Sequence, residues 1–363
     1  MRAFWKAALS ALVLLALCIP ASAKDLPVIR VGYIFTTNHT PFMAAMSLGD
    51  ELSVDGYSLH PVLPKEKYEL RKKGEPIAML DILVIKSGSE TATLFAQKHL
   101  DMSLASITAI ISGIDKGSPM KIVSPLVLAA GGLVVPKDDP ASNWADFIAR
   151  AKSSKQPLRI GYHSPSSAPV IILEAALHAE GLTTSSNPNA MDAQVILVDL
   201  KGIPNMLPAL ASKQVDAAVG PEPFPQTAVL RGQGKIVEQL SNMPPEGQWK
   251  NYPCCVVVAS DDMIANAPDT VREFVAFING AGAWANDNRE KAGSVAAAWI
   301  GLPSELGKAS TLRFLQSFTQ NWRDGAAGYL KVLNEAGYLK GSLKDKTFEE
   351  AESLLLDTRF IRK

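Results

Sequence analysis

A short pattern of residues occurs twice in this chain, once near residue 30 and again near residue 160. Residues 28–33 form an apolar run that ends in Arg-Val-Gly-Tyr, and residues 158–162 end in Arg-Ile-Gly-Tyr. An apolar run of this length predicts a buried strand in each place. Both runs lead into a polar loop, at 36–41 and at 163–169, and then into a helix-like stretch. The chain is therefore expected to build one kind of structural unit twice.

The likeness between the two halves continues downstream in the same order. A helix that ends in a turn before an Asp is followed by a strand, a Gly-containing turn and another strand. These segments lie at 94–101, 102–105, 115–117 and 120–123 in the first half, and at 209–216, 217–220, 232–234 and 235–237 in the second. Strands that alternate with helices predict parallel strands joined by crossover helices. We therefore predict an α/β fold with two lobes, each a wound sheet with flanking helices.

The boundaries of the predicted lobes follow from two further apolar runs. Residues 126–135 and 254–259 border the second half of the pattern, so each run is expected to carry the chain across a hinge. The first lobe is then discontinuous, with residues 24–132 and 256–363, and the second lobe is 133–255. A mostly helical C-terminal region is assigned to the first lobe, with predicted helices that begin at 268 and run through 291–299, 309–318 and 325–336.

The first 23 residues have the features of a secretory signal peptide in the usual order. Arg2 and Lys6 precede a run of small and apolar residues at 7–19, and small residues follow up to Ala23. This order predicts a signal peptide at 1–23, export, and cleavage after Ala23. The alternative is a membrane anchor, but the run is shorter than the ~18 residues of a membrane span. The residue before Cys18 is not small, which argues against a lipid anchor.

Composition and cysteine content exclude several function classes. The chain has 36 Lys and Arg against 36 Asp and Glu, which argues against a nucleic-acid partner. The histidines and cysteines lack metal-ligand spacing, and there is no G-x-S-x-G elbow, P-loop or dinucleotide fingerprint. We therefore expect no catalysis, metal or other cofactor. After cleavage only Cys254 and Cys255 remain. Because neighbouring side chains of a strand point to opposite faces, we predict two small buried residues and no disulfide.

Polar loops at predicted helix N-termini are the first candidates for a binding site. Backbone N–H groups are unpaired there and the helix dipole adds partial positive charge, so nearby hydroxyls complete a cradle for an oxyanion. The candidates are Asn38, His39 and Ser87 in the first lobe, and Ser164, Ser166 and Ser167 in the second. Simple N-capping without a ligand is the alternative for each of them.

Two strand ends supply further candidates. Ser106 follows the strand at 102–105, begins another helix and is expected beside the Asn38 loop. Glu222 lies at the equivalent strand end of the second lobe and is expected to accept a hydrogen bond from a ligand amine or hydroxyl; a helix cap or a contact between the lobes is the alternative. His39 is expected to donate to an anion or to stack on a ring, and its alternative is a structural role. Ligands of wound sheets bind at the carboxyl ends of strands, so facing lobes would place these loops in one cleft.

Several of these features together resemble a known family. They are the signal peptide, the opening Arg-Val-Gly-Tyr with Asn38-His39-Thr40-Pro41, the turns at Asp101 and Asp216, the Glu222-Pro223-Phe224 motif and the run 253–258. In this combination the chain resembles the extracytoplasmic solute-binding proteins of ABC importers, of the nitrate/sulfonate/taurine type (NMT1/THI5-like).

The resemblance implies a two-lobed periplasmic-binding-protein fold of type II that closes on one small ligand between its lobes. It also implies a periplasmic, monomeric protein that is not an enzyme and that delivers its solute to the permease and ATPase subunits at the inner membrane. The implied solute is small, organic, and anionic or zwitterionic. Family ligand positions carry over to Asn38, His39, Ser87, Ser106, Ser164, Ser166, Ser167 and Glu222.

Departures from the family pattern leave alternatives open. Residues 65–75 insert a charged segment, and no Arg stands in the Ser164 loop to meet a strongly charged anion. Asn38 and its neighbours are similar to binders of a thiamine pyrimidine precursor, which is one alternative ligand. A binding subunit that feeds a membrane sensor is a second alternative. A pyrimidine-synthase-like enzyme is more remote, because those proteins carry a cysteine-rich cluster and lack an export signal.

Overall fold

The computed structural model describes residues 26–128, 130–308 and 310–361. The predicted signal peptide and Cys18 lie outside these residues. The described chain folds around two β-sheets, with helices packed against both. Within the described part of the chain, none of the helices has the length and apolarity that a membrane span requires.

The two sheets differ in size and each is built from strands of its own part of the chain. The larger sheet contains β1 (Val28–Ile34), β2 (Tyr57–Leu63), β3 (Lys67–Lys72), β4 (Glu75–Ile85), β5 (Met102–Ser106), β6 (Met120–Leu128), β13 (Pro253–Ser260) and β14 (Arg313–Phe314). Its strand order is β14-β6-β13-β5-β1-β4-β3-β2. The smaller sheet contains β7 (Gly131–Pro136), β8 (Leu158–Tyr162), β9 (Thr184–Ser185), β10 (Val195–Asp199), β11 (Ala217–Pro221) and β12 (Gly234–Gln239). Its strand order is β12-β7-β11-β8-β10-β9.

The α-helices are numbered along the described chain. Those up to the end of the smaller sheet are α1 (Thr40–Leu48), α2 (Gly88–Ala96), α3 (Ile107–Asp115), α4 (Trp144–Ser153), α5 (Ala168–Ala179), α6 (Met206–Ala211) and α7 (Phe224–Leu230). Those of the C-terminal region are α8 (Asp261–Asn266), α9 (Pro268–Asp287), α10 (Arg289–Trp299), α11 (Ser304–Lys308), α12 (Gln320–Glu335) and α13 (Phe348–Leu355).

The two copies of the repeated pattern occupy equivalent central positions. β1 lies between β4 and β5 and is parallel to both, and β8 lies between β10 and β11 in the same way. A Cβ added to Gly32 would lie 2.3 Å from Ile85 Cδ1, and one added to Gly161 would lie 2.5 Å from Leu200 Cδ1. Each glycine therefore leaves space for an apolar side chain at the end of the neighbouring strand, Ile85 after Gly32 and Leu200 after Gly161. The predicted two-lobed α/β architecture is confirmed.

The Asp that ends each repeated turn is fixed to the Arg of its own copy. Asp101 accepts a hydrogen bond from Arg30 N at 2.8 Å, and Asp101 N donates to Arg30 O at 3.0 Å. Asp216 accepts from Arg159 N at 2.8 Å, and Asp216 N donates to Arg159 O at 2.7 Å. Each Asp therefore joins two neighbouring parallel strands, β1 to β5 in the larger sheet and β8 to β11 in the smaller one.

The chain passes between the sheets at two places, of which the sequence located one. β6 ends at Leu128 and β7 begins at Gly131, inside the predicted crossing at 126–135. The chain returns to the larger sheet between β12 and β13, because β13 pairs antiparallel with both β5 and β6 of that sheet. The run 254–259 is therefore a strand of the larger sheet, and the crossing predicted there is wrong.

The charged segment at 65–75 extends the larger sheet. It forms β3 and the start of β4, and β2, β3 and β4 pair antiparallel. Residues 75–81 of β4 pair with β3, whereas residues 79–85 pair in parallel with β1. One long strand thus joins an antiparallel edge to the parallel centre of the sheet.

The C-terminal region is mostly helical, but the helix predicted at 309–318 is wrong. Residues 310–318 contain β14 and no helix. Phe314 N donates to Asn286 Oδ1 at 3.0 Å, Asn286 Nδ2 donates to Phe314 O at 2.8 Å, and β14 pairs with β6. These partners satisfy backbone groups that a helix would otherwise pair, so tertiary contacts override the helical pattern.

A buried carboxylate holds the C-terminal region against the first half of the chain. Asp115, at the end of α3, accepts hydrogen bonds from the backbone N–H groups of Lys340 (2.9 Å), Gly341 (3.0 Å) and Leu343 (2.9 Å). A Cβ at Gly341 would lie 1.9 Å from Asp115 O, so the close approach requires glycine. We call this arrangement the Asp115 cradle.

Apolar side chains of both sheets share one buried cluster. It includes Ile122 and Val256 of the larger sheet together with Val135 and Ile160 of the smaller sheet. The two lobes are therefore packed against each other along part of their length, and the polar loops described below lie at this junction.

Candidate functional site

Loops at the carboxyl ends of the central strands meet between the two lobes. Ser89, in the first turn of α2, has its Oγ 2.8 Å from Ser166 Oγ in the loop after β8. Thr108 Oγ1 donates to Ser166 O at 2.7 Å. Thr36 Oγ1, just after β1, donates to Glu222 O at 3.0 Å. The loop after β8 therefore contacts α2 and α3 of the first lobe, and the loop after β1 contacts the end of β11; these bonds do not join the loops at 36–41 and 163–169 to each other.

N-capping accounts for one of the candidate serines but not for the others. Ser87 caps α2, because its Oγ accepts from a backbone N–H of the first helical turn at 3.3 Å. Ser106 and Ser167 precede α3 and α5 without a side-chain cap bond. Ser106 Oγ instead lies 3.0 Å from Thr108 Oγ1, and Ser167 Oγ donates to Ser164 O at 2.7 Å. Ser87 is thus explained by its helix, and a ligand role for the other serines stays a prediction.

His39 is a fully buried, neutral side chain. Ile34 N donates to His39 Nδ1 at 3.0 Å, so the ring proton lies on Nε2. Burial lowers the pKa of His39 to about 3, and the Ile34 hydrogen bond opposes this only in part. In the described part of the chain His39 Nε2 is buried and has no hydrogen-bond partner. His39 can therefore donate one hydrogen bond but supplies no positive charge near neutral pH.

Asn38 lies beside His39 and faces the two cysteines of β13. Asn38 Nδ2 lies 3.2 Å from Cys254 Sγ and 3.9 Å from Cys255 Sγ and donates toward both. Its Oδ1 is buried without a hydrogen-bond partner among the described residues, as is Thr37 Oγ1. An unpaired buried amide oxygen is costly, so a partner for Asn38 Oδ1 is expected from a molecule outside this chain.

The two cysteines lie on the same side of their strand, which the sequence did not predict. The pairing of β13 with β6 shifts register between Pro253 and Cys255 and again between Cys255 and Val256. This irregularity turns both thiols toward Asn38, with the sulfurs 3.8 Å apart. Each residue is 4% exposed, and both thiols are free, as predicted. The contact with Cys254, together with burial, raises the pKa of Cys255 well above its usual value.

Glu222 is a buried carboxylate that joins the smaller sheet to the C-terminal region. It is 2% exposed; Ser310 Oγ donates to its Oε2 at 2.9 Å and Thr311 Oγ1 donates to its Oε1 at 3.0 Å. Burial raises the pKa of Glu222, and these hydrogen bonds oppose the shift. Glu222 therefore makes a contact between the lobes, which was the alternative to a ligand role in the sequence analysis. The backbone N–H of Thr311 (3.5 Å) and the side chain of Gln226 also donate to this carboxylate, so a ligand would have to share or replace hydrogen bonds that Glu222 already accepts.

Two buried tyrosines complete the site, and the sequence analysis missed both. The hydroxyls of Tyr252 and Tyr329 are buried and lack hydrogen-bond partners within residues 26–128, 130–308 and 310–361. Their ring centroids lie 6.2 Å apart in an edge-on arrangement. Burial raises the pKa of both hydroxyls well above the usual value, and Cys254 adds to the shift of each. Tyr252 directly precedes the Pro253 motif, which was a usable signal, whereas Tyr329 lies in a helix far along the chain.

These residues form one polar group between the lobes. We call it the inter-lobe cluster, and it consists of Asn38, Glu222, Tyr252, Cys254, Cys255 and Tyr329. No Lys or Arg is among the hydrogen-bond or charge partners that the described residues give these six side chains. The described chain also has no group of three His, Cys, Asp or Glu side chains arranged as a metal site. The cluster can therefore recognise a ligand through neutral hydrogen-bonding groups and one carboxylate.

A groove of about 560 Å³ opens next to this cluster, over the carboxyl ends of strands from both sheets; its lining is mostly apolar but includes Lys86, Lys201 and Arg231. Phe35 and Val84 line it from the larger sheet, and Ile203 and Phe224 line it from the smaller sheet. The Thr36 contact with the Glu222 carbonyl lies at the junction between the groove and the cluster. The groove is therefore the open side of the junction between the lobes.

The architecture, two sheets joined by short crossings with opposing loops between them, is that of a periplasmic binding protein. The fold is similar to a ligand-binding component of an ABC-type import system from Staphylococcus aureus (TM-score 0.70, 13% identity, 92% of this chain and 98% of that chain). It is also similar to the alkanesulfonate-binding protein of Xanthomonas axonopodis pv. citri (TM-score 0.66, 13% identity, 92% and 99%). A third similar structure is the nitrate-binding protein of Synechocystis (TM-score 0.63, 16% identity, 93% and 92%).

Sequence similarity identifies the family. The chain matches the NMT1-like family over residues 22–301 and belongs to it. An uncharacterised protein of Methanocaldococcus jannaschii is 32% identical over 121 residues, which are 32% of this chain and 83% of that protein. The family resemblance read from the sequence is therefore confirmed.

Proposed function

We propose that the protein is the solute-binding subunit of an ABC importer and that it captures a small organic solute between its two lobes. The observation that carries this proposal is the set of buried hydrogen-bonding groups between the lobes that have no partner among the described residues. Asn38 Oδ1, Tyr252 OH and Tyr329 OH are such groups, and all three belong to the inter-lobe cluster. Buried polar groups are normally paired, so these three fit a site that a bound solute completes.

The chemistry of the cluster favours a zwitterionic solute. The hydroxyls of Tyr252 and Tyr329 are donors for a carboxylate or sulfonate oxygen. Asn38 Oδ1 and the Glu222 carboxylate are acceptors for an ammonium group. Because the cluster includes no Lys or Arg, an inorganic anion such as nitrate would have no countercharge there. An amino-sulfonate or amino-carboxylate satisfies both sides of the cluster.

The remaining predicted ligand residues enter this proposal as neighbours of the cluster. Ser164, Ser166 and Ser167 lie in the loop after β8, and Ser106 lies at the end of β5. In the proposed mechanism their hydroxyls line the path along which the two lobes close, and Ser166 contacts Ser89 across the junction. Opening about the two chain crossings would expose the cluster, and closure on the solute would bury it.

The cellular setting follows from the same proposal. Similar folds include a ligand-binding component of an ABC-type import system, so we propose a permease and ATPase at the inner membrane as partners and a periplasmic location. We keep the division into a discontinuous first lobe and a second lobe as part of the proposal, with the predicted bounds 24–132, 133–255 and 256–363 changed at the return crossing, which lies before β13 (Pro253–Ser260). A monomeric state and a lack of catalysis also belong to the proposal.

Isothermal titration with a matched set of small molecules tests the proposal. The set is taurine, ethanesulfonate, which lacks the amine, nitrate, and a neutral aminopyrimidine. We expect taurine or another amino acid of similar size to bind more tightly than ethanesulfonate and nitrate. At 100 times its dissociation constant the solute should stabilise the protein by about 2.7 kcal/mol. Binding of none of the four, in a screen extended to amino acids, would contradict the proposal.

Two results would favour the alternatives. Preference for the aminopyrimidine would favour binding of a thiamine pyrimidine precursor, because a neutral ring can meet the Tyr252 hydroxyl and Asn38 Oδ1 without an ion pair. In cells that lack the proposed permease, a transcriptional response to the solute that persists without uptake would favour a subunit that feeds a sensor. Turnover of any member of the set would overturn the assignment as a binding protein.

A further inference from the structure

The thiols of Cys254 and Cys255 lie close together on one side of β13, which differs from the geometry of a regular strand. In a regular strand their side chains would point to opposite faces. Here both sulfurs lie under Asn38 and 3.8 Å from each other. The described residues provide no third metal-ligating side chain beside them. Among the described residues the two thiols therefore contact each other and the Asn38 amide, and they are not part of a metal site.

The sulfurs are close enough for a bond, although neighbouring Cα atoms are only ~3.8 Å apart, below the usual ~4.4–6.8 Å of a disulfide, so the bond would be strained and easily reduced. A disulfide has its sulfurs ~2.05 Å apart, so the thiols must approach each other by less than ~2 Å. The ladder between β13 and β6 is irregular on both sides of Cys255 and leaves Cys254 unpaired, and the ladder with β5 begins only at Cys255. Cys254 is therefore outside the regular part of both ladders, whereas Cys255 is held by β5. A local change of the backbone at this bulge leaves the regular part of β13 in place.

We propose that Cys254 and Cys255 are a redox site that closes to a vicinal disulfide by exchange with a small disulfide such as oxidised glutathione. One cysteine thiolate attacks a sulfur of the glutathione disulfide, which forms a mixed disulfide and releases one glutathione thiolate. The second protein cysteine then attacks the sulfur that the first protein cysteine contributes to the mixed disulfide, forms the Cys254–Cys255 bond and releases the other glutathione. The two cysteines are oxidised by two electrons, the glutathione disulfide is reduced, and the two thiol protons end on the two glutathiones.

Burial makes the exchange depend on lobe opening. Both cysteines are 4% exposed, and Asn38 and Tyr252 lie against them on the side of the junction. The contact with Cys254 and burial also raise the pKa of Cys255, so Cys255 is in the thiol form while the lobes are closed. Separation of the lobes brings water and glutathione to the pair, and the thiolate becomes available.

Oxidation would change the inter-lobe cluster itself. Two thiols that face Asn38 become one disulfide, and both S–H groups are lost as hydrogen-bond donors. Formation of the bond also moves the sulfurs, which are 3.8 Å apart, away from the positions at which they accept from Asn38 Nδ2 at 3.2 and 3.9 Å. This consequence for the solute rests on the proposed function, whereas the redox chemistry of the pair does not.

Mass spectrometry of the purified native protein tests the redox site without any solute. The protein is incubated with excess oxidised glutathione, quenched in acid, unfolded, and treated with iodoacetamide. We expect Cys254 and Cys255 to be alkylated in the starting protein and neither of them in the oxidised protein, whose unalkylated mass is lower by two hydrogen atoms than that of the reduced chain. A proteolytic peptide that spans residues 252–258 must contain the bond.

Cys254→Ser and Cys255→Ser are the matched controls. Each variant keeps one thiol, so each should form a lasting mixed disulfide with glutathione or remain open to alkylation. If serine destabilises the buried position, Cys254→Ala and Cys255→Ala replace these variants. Wild-type protein that keeps two alkylatable thiols, that stops at mixed disulfides, or that forms only bonds between chains overturns the proposal. Because no solute is used, this outcome is independent of the test of solute binding.

Discussion

Replacing Asp115 by alanine should destabilise the C-terminal region strongly. The Asp115 carboxylate is buried and accepts three backbone hydrogen bonds, from Lys340, Gly341 and Leu343. A hydrogen bond to a charged group contributes about 1.5–3 kcal/mol, and removal of one partner leaves the buried donors unpaired. Because the three bonds share one acceptor and are not additive, we expect a total loss of about 3–5 kcal/mol.

Urea unfolding followed by circular dichroism, with native-state hydrogen exchange, measures this effect. The Asp115→Ala variant should unfold at lower urea, and the amides of residues 340, 341 and 343 should lose protection first. Asp138→Ala is the control, because Asp138 is 75% exposed and its ion pair with Lys213 spans 3.6 Å. An exposed pair of this kind contributes about 0–1 kcal/mol. A loss below ~1 kcal/mol for Asp115→Ala would refute the assigned role of the cradle.

Three further predictions concern the junction and the repeated pattern. Tyr252→Phe should weaken the solute found by titration by about 1 kcal/mol, roughly fivefold, while Tyr338→Phe, whose hydroxyl bonds Glu174 at 2.7 Å away from the cluster, should leave affinity unchanged. The pKa of His39 is about 3 in the folded protein and 6.5 in the unfolded reference, so the unfolded state binds more protons between these values. The free energy of unfolding should therefore fall as the pH is lowered through this window, by up to about 1.4 kcal/mol per pH unit. His39→Gln should flatten this dependence in urea titrations at pH 4–7; a slope equal to that of the wild type would contradict it. Gly161→Ala should cost about 1–3 kcal/mol by crowding Leu200, whereas Gly328→Ala, inside α12 and with open space around it, should stabilise by up to about 1 kcal/mol.

The architecture could be predicted because the pattern that encodes it is local and repeated. Each Arg-(Val/Ile)-Gly-Tyr run forms a central strand, and the Asp residues at 101 and 216 end matching turns. The chain crossing at 126–135 was also visible as an apolar run. The helix predicted at 309–318 failed because Asn286, some thirty residues away, supplies the hydrogen bonds of Phe314. Such a partner cannot be read from local periodicity.

The site could be predicted only in part, for a physical reason. Asn38 and Glu222 stood out as polar residues at strand ends, where binding loops are expected. Tyr329 did not, because a buried tyrosine within a helix has the same local pattern as any core residue. The orientation of Cys254 and Cys255 depends on an irregularity of the ladder with β6, which is a property of two strands and not of one. The local pattern therefore identified the loops that carry Asn38 and Glu222, whereas the placement of Tyr329 and of the two thiols beside them depends on the tertiary fold.

The position of β13 sets an order on the assembly of the molecule. β13 lies between β5 and β6, and no hydrogen bond joins those two strands directly. More than a hundred residues, including every strand of the smaller sheet, emerge between β6 and β13 during synthesis. The amino-terminal lobe therefore keeps a gap in its middle until residues 253–260 have been made. A chain synthesised only as far as β12 therefore lacks the strand that joins β5 to β6, and the larger sheet can be completed only after the whole smaller sheet has been made.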